Sequence, residues 1–338
     1  MRSPGRAYGR QQADVQVQGE SAGRRDGRAT KEQRNEMDQK TYRAVFFDLD
    51  GTLLPLDMDR FMGGYYLALK GFVAERGHDP KAFADALNAG IYAMAGDHPG
   101  VTNCDCFWSV FLERMGSEDA AAWHELLDEF YETDFGEIGS GMPPEPLSAE
   151  VVETLRAKGY PVALTTMPMF PIRATQWRLN WGDLDPAWFE RITVYDNSTA
   201  IKPHPAYFEE NLRAFGCRPE EVLMVGNNTK EDLACMKLGM PAYLVTDCLL
   251  NPNDFDVETV QHGTIEDFLA FVRTLPECEN PASCTAPAVG VVPGAPQVSA
   301  SVAETAPKLG ENAFDEEGVR AMEQAAAGVS GNVTEAGA

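Results

Sequence analysis

Two aspartates at the end of a short apolar run are the side chains in this sequence best placed to do covalent chemistry. Ala44 to Phe47 is apolar on both faces, which predicts a buried strand of a parallel sheet. Asp48 and Asp50 follow, and in extended backbone side chains at i and i+2 point the same way. Because open α/β sheets bind ligands at the carboxyl ends of their strands, both carboxylates are expected to face one pocket.

This spacing suits a nucleophile paired with an acid–base group. Asp48 would attack a phosphorus atom and form an acyl phosphate. Asp50 would protonate the leaving oxygen and later deprotonate a water molecule. Gly51 permits backbone geometry that lets peptide N–H groups approach a phosphate, so Gly51 and Thr52 are candidate substrate-binding residues. The alternative interpretation is a simple turn formed by Asp50 and Gly51 after the strand.

The segment Arg43 to Leu56 resembles the first motif of the haloacid dehalogenase (HAD) superfamily. The resemblance extends over roughly residues 42–275 and includes three later motifs. It implies an α/β fold with a doubly wound parallel sheet (HAD-like, Rossmannoid) and an inserted α-helical cap domain. It also implies Mg²⁺ as cofactor, a small phosphorylated metabolite as substrate and an aspartyl-phosphate intermediate.

The second motif is expected where the strand 161–164 ends in Thr165 and Thr166. A hydroxyl at this end of a strand can bind a phosphate oxygen, although a threonine there is more often just a cap. The segment resembles a subgroup pattern with Thr-Asn-Pro at this point. That alignment makes Thr166 the motif hydroxyl and Thr165 the fallback, and Met167 stands in place of the usual asparagine.

The third motif is expected at Lys202-Pro203, ahead of a helix. A lysine held there can neutralise Asp48 and the transferring phosphoryl group. A lone lysine is usually a solvated surface charge, but the resemblance to the Lys-Pro of the HAD motif favours the functional interpretation. His204 is expected to pack or to cap the helix.

The fourth motif, which in the superfamily supplies an acid for Mg²⁺, departs from the family pattern. Asn227 and Asn228 stand where Gly-Asp or a similar acid is expected, with Asp232 downstream. Mg²⁺ prefers hard oxygen ligands, usually carboxylates and water, and an asparagine carbonyl binds it without a negative charge. The resemblance implies a metal site formed by Asp48, the main-chain carbonyl of Asp50, Asn227, Asn228 and Asp232, and the asparagine pair puts its metal affinity in doubt.

Two arginines and two cysteines are further candidates with stronger structural alternatives. Arg173 and Arg178 follow the second motif and could contact substrate, but helix-surface charges are the more common case. Cys104 and Cys106 are a weak metal candidate, and two thiols at a helix start are the favoured interpretation.

The charge and the cysteine content restrict the class of protein. The formal net charge is −24, from 28 Lys and Arg against 52 Asp and Glu, which argues against nucleic acid and anionic membrane surfaces as partners. The seven cysteines show no paired CxxC spacing, which favours free thiols in a cytoplasmic protein. No apolar run reaches the ~20 residues that a membrane helix needs. Oligomeric state and substrate are not defined by the sequence.

Composition changes along the chain predict four regions. Residues 1–40 contain almost no large aliphatic side chains and predict a disordered arm, with translation from Met37 as an alternative. Residues 57–141 carry apolar side chains at helical spacing and predict a cap of about four helices. Residues 41–56 and 142–276 alternate strands with helices and predict the core, and residues 277–338 predict a flexible tail.

Within the core, the pattern predicts individual elements. Ser148 to Lys158 is predicted as a helix with Ser148 as N-cap and Gly159 as C-cap. The other predicted helices are 175–179, 206–215, 230–238 and 265–275, and the other predicted strands are 192–195, 222–225 and 242–245.

Four functions are compatible with these motifs to different degrees. The favoured one is a Mg²⁺-dependent phosphatase. A phosphomutase would use the same two aspartates, whereas a dehalogenase would not need Asp50. A phospho-ligand or protein-binding module with little turnover is the alternative outside the enzyme class, and Asn227, Asn228 and Met167 motivate it.

Overall fold

The computed structural model describes residues 42–117, 119–142 and 145–286 of the chain. The predicted arm at residues 1–40 and most of the predicted tail lie outside these described residues.

Six parallel strands form one sheet in the order β3-β2-β1-β4-β5-β6. The first strand is central, flanked by the second and fourth, because its residues are apolar on both faces and can be buried from both sides. This is the predicted doubly wound α/β architecture. The strands are β1 (Ala44–Phe47), β2 (Val162–Leu164), β3 (Arg191–Ile192), β4 (Val222–Gly226), β5 (Ala242–Val245) and β6 (Gln261–Gly263).

Helices cover both faces of the sheet, so alternate residues of the central strand enter two different hydrophobic clusters. Val45 and Phe47 belong to one cluster, and Ala44 and Phe46 to the other. The helices that follow the helical insertion are α6 (Pro146–Ala157), α7 (Ile172–Trp181), α8 (Pro205–Ala214) and α9 (Ile265–Thr274).

All residues between Met58 and Ile138 that form regular structure are helical, and they are inserted between the first and second strands. Four helices are long, as the apolar spacing predicted, and one is a single turn. They pack mainly through aromatic side chains such as Phe83, Phe111, Trp123 and Phe130. The helices of the insertion are α1 (Met58–Glu75), α2 (Pro80–Ala95), α3 (Asn103–Met115), α4 (Ala120–Glu132) and α5 (Phe135–Ile138).

Several predicted element boundaries are wrong. Ser148 is not an N-cap but a buried residue inside α6, because Glu145 accepts the capping N–H and Pro146 occupies the first turn. The predicted helix 230–238 is a 3₁₀ helix at Asp232–Leu238. The short strand β6 was not predicted, since its residues Gln261–Gly263 carry no apolar pattern.

The structure also differs from the predicted start of the tail at residue 277. The N–H of Cys278 donates to the Lys158 carbonyl, and the N–H of Ala282 donates to the Arg43 carbonyl. Ala282 is buried in the hydrophobic cluster on one face of the sheet. The chain up to residue 286 therefore packs on the core. None of the described helices is both long and apolar enough to cross a membrane.

Candidate active site

Asp48 and Asp50 lie at the carboxyl end of the central strand, in the position that the sequence predicted. The N–H of Asp48 donates to the Val225 carbonyl of β4 (2.8 Å), which extends the pairing of the strand up to the first carboxylate. Both side chains are more than nine-tenths buried. Two acids in such a place need partners, because a buried charge without one is costly.

Lys202 joins Asp48 to Asp232. Its Nζ lies 2.7 Å from Asp48 Oδ1 and 2.6 Å from Asp232 Oδ1, and the lysine is almost completely buried. The loop that carries it follows β3, and its Lys202–Pro203 peptide bond is cis. The predicted contact between Lys202 and Asp48 is therefore present, and a third charge completes the cluster.

Both carboxylate oxygens of Asp232 accept hydrogen bonds, which fix the side chain from two sides. Its Oδ1 accepts from Lys202, and its Oδ2 accepts the main-chain N–H groups of Asn227 (3.0 Å) and Asn228 (2.9 Å). A Cβ on Gly226 would lie 2.2 Å from the Asp232 carboxyl carbon, so the acid approaches the strand end closely. Asp232 positions Lys202 and the loop after β4.

The two asparagines differ in what their side chains do. Asn228 Oδ1 accepts the N–H groups of Lys230 (3.0 Å) and Glu231 (3.1 Å), which stabilises the turn after β4. Asn227 faces the aspartates: its Oδ1 lies 3.2 Å from the Thr52 hydroxyl, and that hydroxyl lies 3.4 Å from Asp48 Oδ2. Asp48 Oδ2 and Asn227 Oδ1 therefore converge on the hydroxyl of Thr52.

These oxygens fit a Mg²⁺ ion, although the donor set is smaller than predicted. Among the described residues, no group of three or more His, Cys, Asp and Glu side chains is arranged to hold a metal. What converges is one carboxylate, from Asp48, and one amide carbonyl, from Asn227, with the main-chain carbonyl of Asp50 nearby in sequence. Mg²⁺ keeps several waters and is often bound through one or two carboxylates plus substrate phosphates. Such a site would bind the ion together with a phosphate.

Thr165 and Thr166 have different surroundings at the end of β2. The Thr165 hydroxyl donates to the Phe47 carbonyl (3.2 Å), so it caps the strand end. The Thr166 hydroxyl is buried and has no hydrogen-bond partner, while its main-chain carbonyl accepts from Thr193 and Tyr207. A buried hydroxyl without a partner is rare in folded proteins. Thr166 is therefore the better candidate for a phosphate-oxygen ligand.

The sequence missed the partner of Asp50. Arg178, for which a helix-surface position was the favoured interpretation, is buried, and its Nη1 donates to Asp50 Oδ2. Its Nη2 donates to the Thr175 hydroxyl (3.0 Å), and Phe170 lies against the guanidinium. Asp50 Oδ1 remains buried and without a partner. One feature of the sequence could have indicated this burial. The polar residues of α7 are not confined to one face, as they would be in a surface amphipathic helix.

The structure also defines the surroundings of three other candidate residues, Arg173, His204 and Cys104. Arg173 Nε donates to Glu132 of the insertion (2.7 Å), which ties α7 to α4. His204 Nδ1 accepts the N–H of Ala206 and caps α8, as predicted. Burial raises the pKa of the Cys104 thiol to about 12, which keeps it protonated and unsuited to metal binding.

A fully buried asparagine connects the insertion to the loops of the site, and no sequence signal pointed to it. Asn103 Nδ2 donates to the carbonyls of Pro168 (2.9 Å) and Ala200 (3.2 Å), in the loops after the second and third strands. Its main-chain N–H donates to the Ser198 carbonyl (2.8 Å). The start of α3 is thus fixed to the segments that carry Thr166 and Lys202.

The electrostatics of the cluster act on the nucleophile candidate. Burial raises the pKa of Asp48 to about 7, and the charges of Asp232 and Asp50 act in the same direction. Lys202 acts in the opposite direction, but burial outweighs it. Burial lowers the pKa of Lys202, but the charges of Asp232 and Asp48 outweigh it and raise the pKa well above its usual value, so the lysine stays charged. A positive charge beside Asp48 therefore strongly affects whether this carboxyl group is ionised.

Gly51 is expected to tolerate no side chain. Its φ is +84°, and a Cβ would lie 2.2 Å from Asn227 Nδ2. We predict that Gly51→Ala lowers the free energy of unfolding by about 1–2 kcal/mol for the left-handed backbone, plus about 1–3 kcal/mol for the clash. Gly77→Ala is the matched control, because Gly77 has φ +82° and open space around its Cβ position. Equal losses in urea unfolding would contradict a close approach at Gly51.

Comparisons with known proteins agree with this arrangement. A family model described as haloacid dehalogenase-like hydrolase matches residues 42–238, more than half of the chain. The glyceraldehyde 3-phosphate phosphatase of Methanothermobacter thermautotrophicus is 27% identical over 221 residues, which is 60% of this chain and 85% of that protein. The phosphoglycolate phosphatase of Photorhabdus laumondii is 29% identical over 212 residues, 61% of this chain and 81% of that protein. The pyrophosphatase PpaX of Bacillus cereus is 30% identical over 105 residues, 31% of this chain and 41% of its own length.

Two solved structures also match the chain, at lower sequence identity. A HAD phosphatase from Thermococcus onnurineus and the L-2-haloacid dehalogenase RSc1362 are each 19% identical, with a TM-score of 0.43. Each match covers 69% of this chain and 99% of the other.

The chain belongs to the haloacid dehalogenase-like hydrolase family. The family model covers the residues that form the cluster, from Asp48 to Asp232. The protein is a HAD-like hydrolase.

Proposed function

We propose that this hydrolase is a Mg²⁺-dependent phosphatase that acts on a small phosphorylated metabolite through an aspartyl-phosphate intermediate. The observation that carries the proposal is the buried cluster of Asp48, Lys202 and Asp232, with Asp50 two residues from the nucleophile. A dehalogenase would have no need of the second acid at position 50. The names of the phosphatase relatives support the same reaction class.

Each residue of the cluster has a role in this proposal. Asp48 attacks the phosphorus atom, and Asp50 exchanges protons with the leaving group and water through Oδ1, the oxygen that Arg178 does not hold. Thr166 and Lys202 stabilise the charge on the phosphoryl oxygens. Gly51 and Thr52 border the phosphate, and a Mg²⁺ bound at Asp48, Asn227 and the Asp50 carbonyl supplies electrostatic neutralisation.

The helical insertion at residues 57–141 serves as the cap in this proposal and covers the reacting groups. Its ties to the loops of the site, through Asn103 and through the Glu132–Arg173 ion pair, support that role. If the insertion is the cap domain, residues 41–56 and 142–276 form the core domain. The free cysteines among the described residues are consistent with a reducing compartment such as the cytoplasm.

Phosphate release tests the proposal. The intact protein is incubated with 4-nitrophenyl phosphate and a panel of phosphorylated metabolites, with and without Mg²⁺. Mg²⁺-dependent release supports a phosphatase. Transfer to a second position of the substrate without release would instead indicate a phosphomutase. No release, together with no Mg²⁺ binding up to roughly tens of millimolar, would favour a phospho-ligand-binding module.

Metal affinity distinguishes the two asparagines. We predict that Asn227→Asp lowers the Mg²⁺ concentration for half-saturation roughly tenfold, because a negative charge is added to an oxygen that already faces Asp48. Asn228→Asp adds the same charge but keeps its oxygen on the turn N–H groups, so a change below roughly threefold is expected. Isothermal titration with MgCl₂ measures both, independently of turnover. A larger gain from Asn228→Asp would place the metal on the other side of the loop.

A further inference from the structure

A cavity lies between the helical insertion and the loop after the second strand. Its volume is about 40 Å³, against roughly 10–15 Å³ for one water molecule. None of the residues assigned to phosphate or metal lines it. It therefore leaves room for a small group of a few heavy atoms that is not the phosphate. The lining residues are Met62, Tyr65, Leu87, Ile91, Phe107, Trp108, Leu127, Asp128, Tyr131, Met169, Phe170, Pro171 and Tyr195.

The lining of the cavity is rich in aromatic residues and contains a single acidic side chain. Six of the thirteen residues are aromatic, and the lining includes one charged side chain, the carboxylate of Asp128, and no Lys, Arg or His. Asp128 is exposed to solvent, so it lies at the mouth of the cavity. The hydroxyls of Tyr65 and Tyr131 are 2.9 Å apart and form a hydrogen bond with each other.

The lining itself contributes no positive charge. Arg178, beside Phe170, is paired with Asp50, and Arg173 Nε is paired with Glu132, while the buried Arg173 Nη1 has no hydrogen-bond partner among the described residues. A negative ligand would therefore meet no Lys, Arg or His side chain in the lining. Aromatic rings with one carboxylate attract the opposite kind of ligand, an organic cation, through the negative faces of the rings.

Phe170 links the cavity to the surroundings of Asp50. Phe170 lines it and also lies 5.0 Å from the guanidinium of Arg178, which holds Asp50. Phe170 is four residues from Thr166, so chain geometry places their Cα atoms at most about 14 Å apart. In the proposed mechanism Asp50 serves the leaving oxygen, so the alcohol portion of the substrate extends toward Phe170.

We propose that this cavity, named here the aromatic cavity, binds an ammonium group on the leaving alcohol of the substrate. The substrate class is thus a phosphomonoester of an amino alcohol carrying a methylated, positively charged nitrogen. The inference deepens the proposed phosphatase function and rests on it. It adds the class of leaving group, which neither the family nor the relatives' names assign to this chain.

The test compares two substrates of nearly equal shape. Phosphocholine carries the cation, and 3,3-dimethylbutyl phosphate replaces its nitrogen with carbon. We expect kcat/KM to favour phosphocholine by roughly tenfold or more, since a cation on desolvated aromatic faces gains at least about that factor. Equal kcat/KM values, or a preference for the uncharged ester, would overturn the inference.

Variants locate the preference in the aromatic cavity. Phe170→Leu keeps an apolar side chain but removes a ring, and the preference is expected to fall at least about threefold. Asp128→Asn, an exposed position that threatens the fold little, is expected to reduce it also. Glu125→Gln is the matched control, an exposed acid on the same helix that does not line the cavity. The ratio of the two substrates cancels any general loss of active enzyme, and an unchanged ratio in both cavity variants would reject the assignment.

A binding measurement separates this inference from the proposed function. Tetramethylammonium chloride is titrated into the intact protein while tryptophan fluorescence is recorded, because Trp108 lines the aromatic cavity. A saturable change that is weaker in Phe170→Leu and unaltered in Glu125→Gln supports the cation site even if no phosphate is released from any ester. Phosphate release from 4-nitrophenyl phosphate without any response to tetramethylammonium would retain the phosphatase and reject the cation site.

Discussion

Replacing Asp48 with Asn is expected to lower kcat for phosphate release at least about 10³-fold while the protein stays folded. The amide cannot attack phosphorus. Asp232 is bonded to Lys202 and to two main-chain N–H groups, and Asp50 is held by Arg178 through Oδ2, so each of these acids has another task. The measurement is release from 4-nitrophenyl phosphate at saturating Mg²⁺. Activity within tenfold of the intact protein would show that Asp48 is not the nucleophile.

The same substitution is expected to raise stability, and the gain depends on pH. Since the pKa of Asp48 is about 7 in the folded protein and near 3.8 otherwise, the folded state holds more protons than the unfolded state between these values. The stability of the intact protein therefore falls as pH rises from about 4 to 7. Asparagine does not ionise, so the stability of the Asp48→Asn protein does not decrease in this way as the pH rises. We expect Asp48→Asn to be more stable by up to about 4 kcal/mol at pH 8 without Mg²⁺, and by much less at pH 5.

Urea unfolding at the two pH values checks this expectation. Asp59→Asn is the control, because Asp59 is an exposed acid at the start of the first helix and lies outside the cluster. Its effect should be small and should vary little with pH. A destabilised Asp48→Asn protein at pH 8 would mean that the ion pair with Lys202 outweighs the cost of burying the carboxylate.

The sequence was sufficient for the residues that follow strands. Asp48, Thr166 and Asn227 come directly after buried apolar runs, and in a parallel sheet the carboxyl ends of the strands meet at one edge. Lys202 was predicted from its resemblance to a motif, and the structure joins it to Asp48. Positions defined by strand ends can be predicted because their direction is fixed by the topology of the sheet.

Residues that act from helices could not be predicted in the same way. Arg178 and Asn103 are polar residues on helices, for which solvent exposure is the usual outcome. Both are buried because the insertion packs over α7 and over the loops of the site, and this contact between distant segments leaves no periodic signal. The aromatic cavity has the same origin: Tyr65 and Trp108 belong to helical stripes that periodicity alone assigned to the core.

In the proposed metal site the structure brings the candidate residues together, but their spacing in the sequence does not distinguish their tasks. Asn227, Asn228 and Asp232 were interchangeable candidates in the sequence. Hydrogen bonding distinguishes them, because Asn228 caps a turn, Asp232 holds Lys202, and Asn227 alone of the three turns its carbonyl toward Thr52 and Asp48. Side-chain direction within a short loop depends on which main-chain N–H groups need partners, and spacing does not report it.

Lys202 is expected to be the most sensitive position for stability. Lys202→Met removes the charge that lies between Asp48 and Asp232, and breaking a buried pair in this way costs about 3–5 kcal/mol. Methionine has a similar length and an apolar chain, so the loss would come from the two uncompensated carboxylates and not from a cavity. Phosphate release should also fall, since the transferring phosphoryl group loses its cation.

Lys81→Met is the matched control for this loss. Lys81 pairs with Asp85 on the surface at 2.9 Å, almost the same distance as in the buried pairs, but both side chains are largely exposed. A surface pair contributes about 0–1 kcal/mol, so the control should unfold nearly like the intact protein. The loss in Lys202→Met should be smaller at pH 5 than at pH 8, because a buried carboxylate without a counter-charge takes up a proton more readily. A loss as small as that of Lys81→Met at both pH values would mean that water or Mg²⁺, and not Lys202, compensates the two acids.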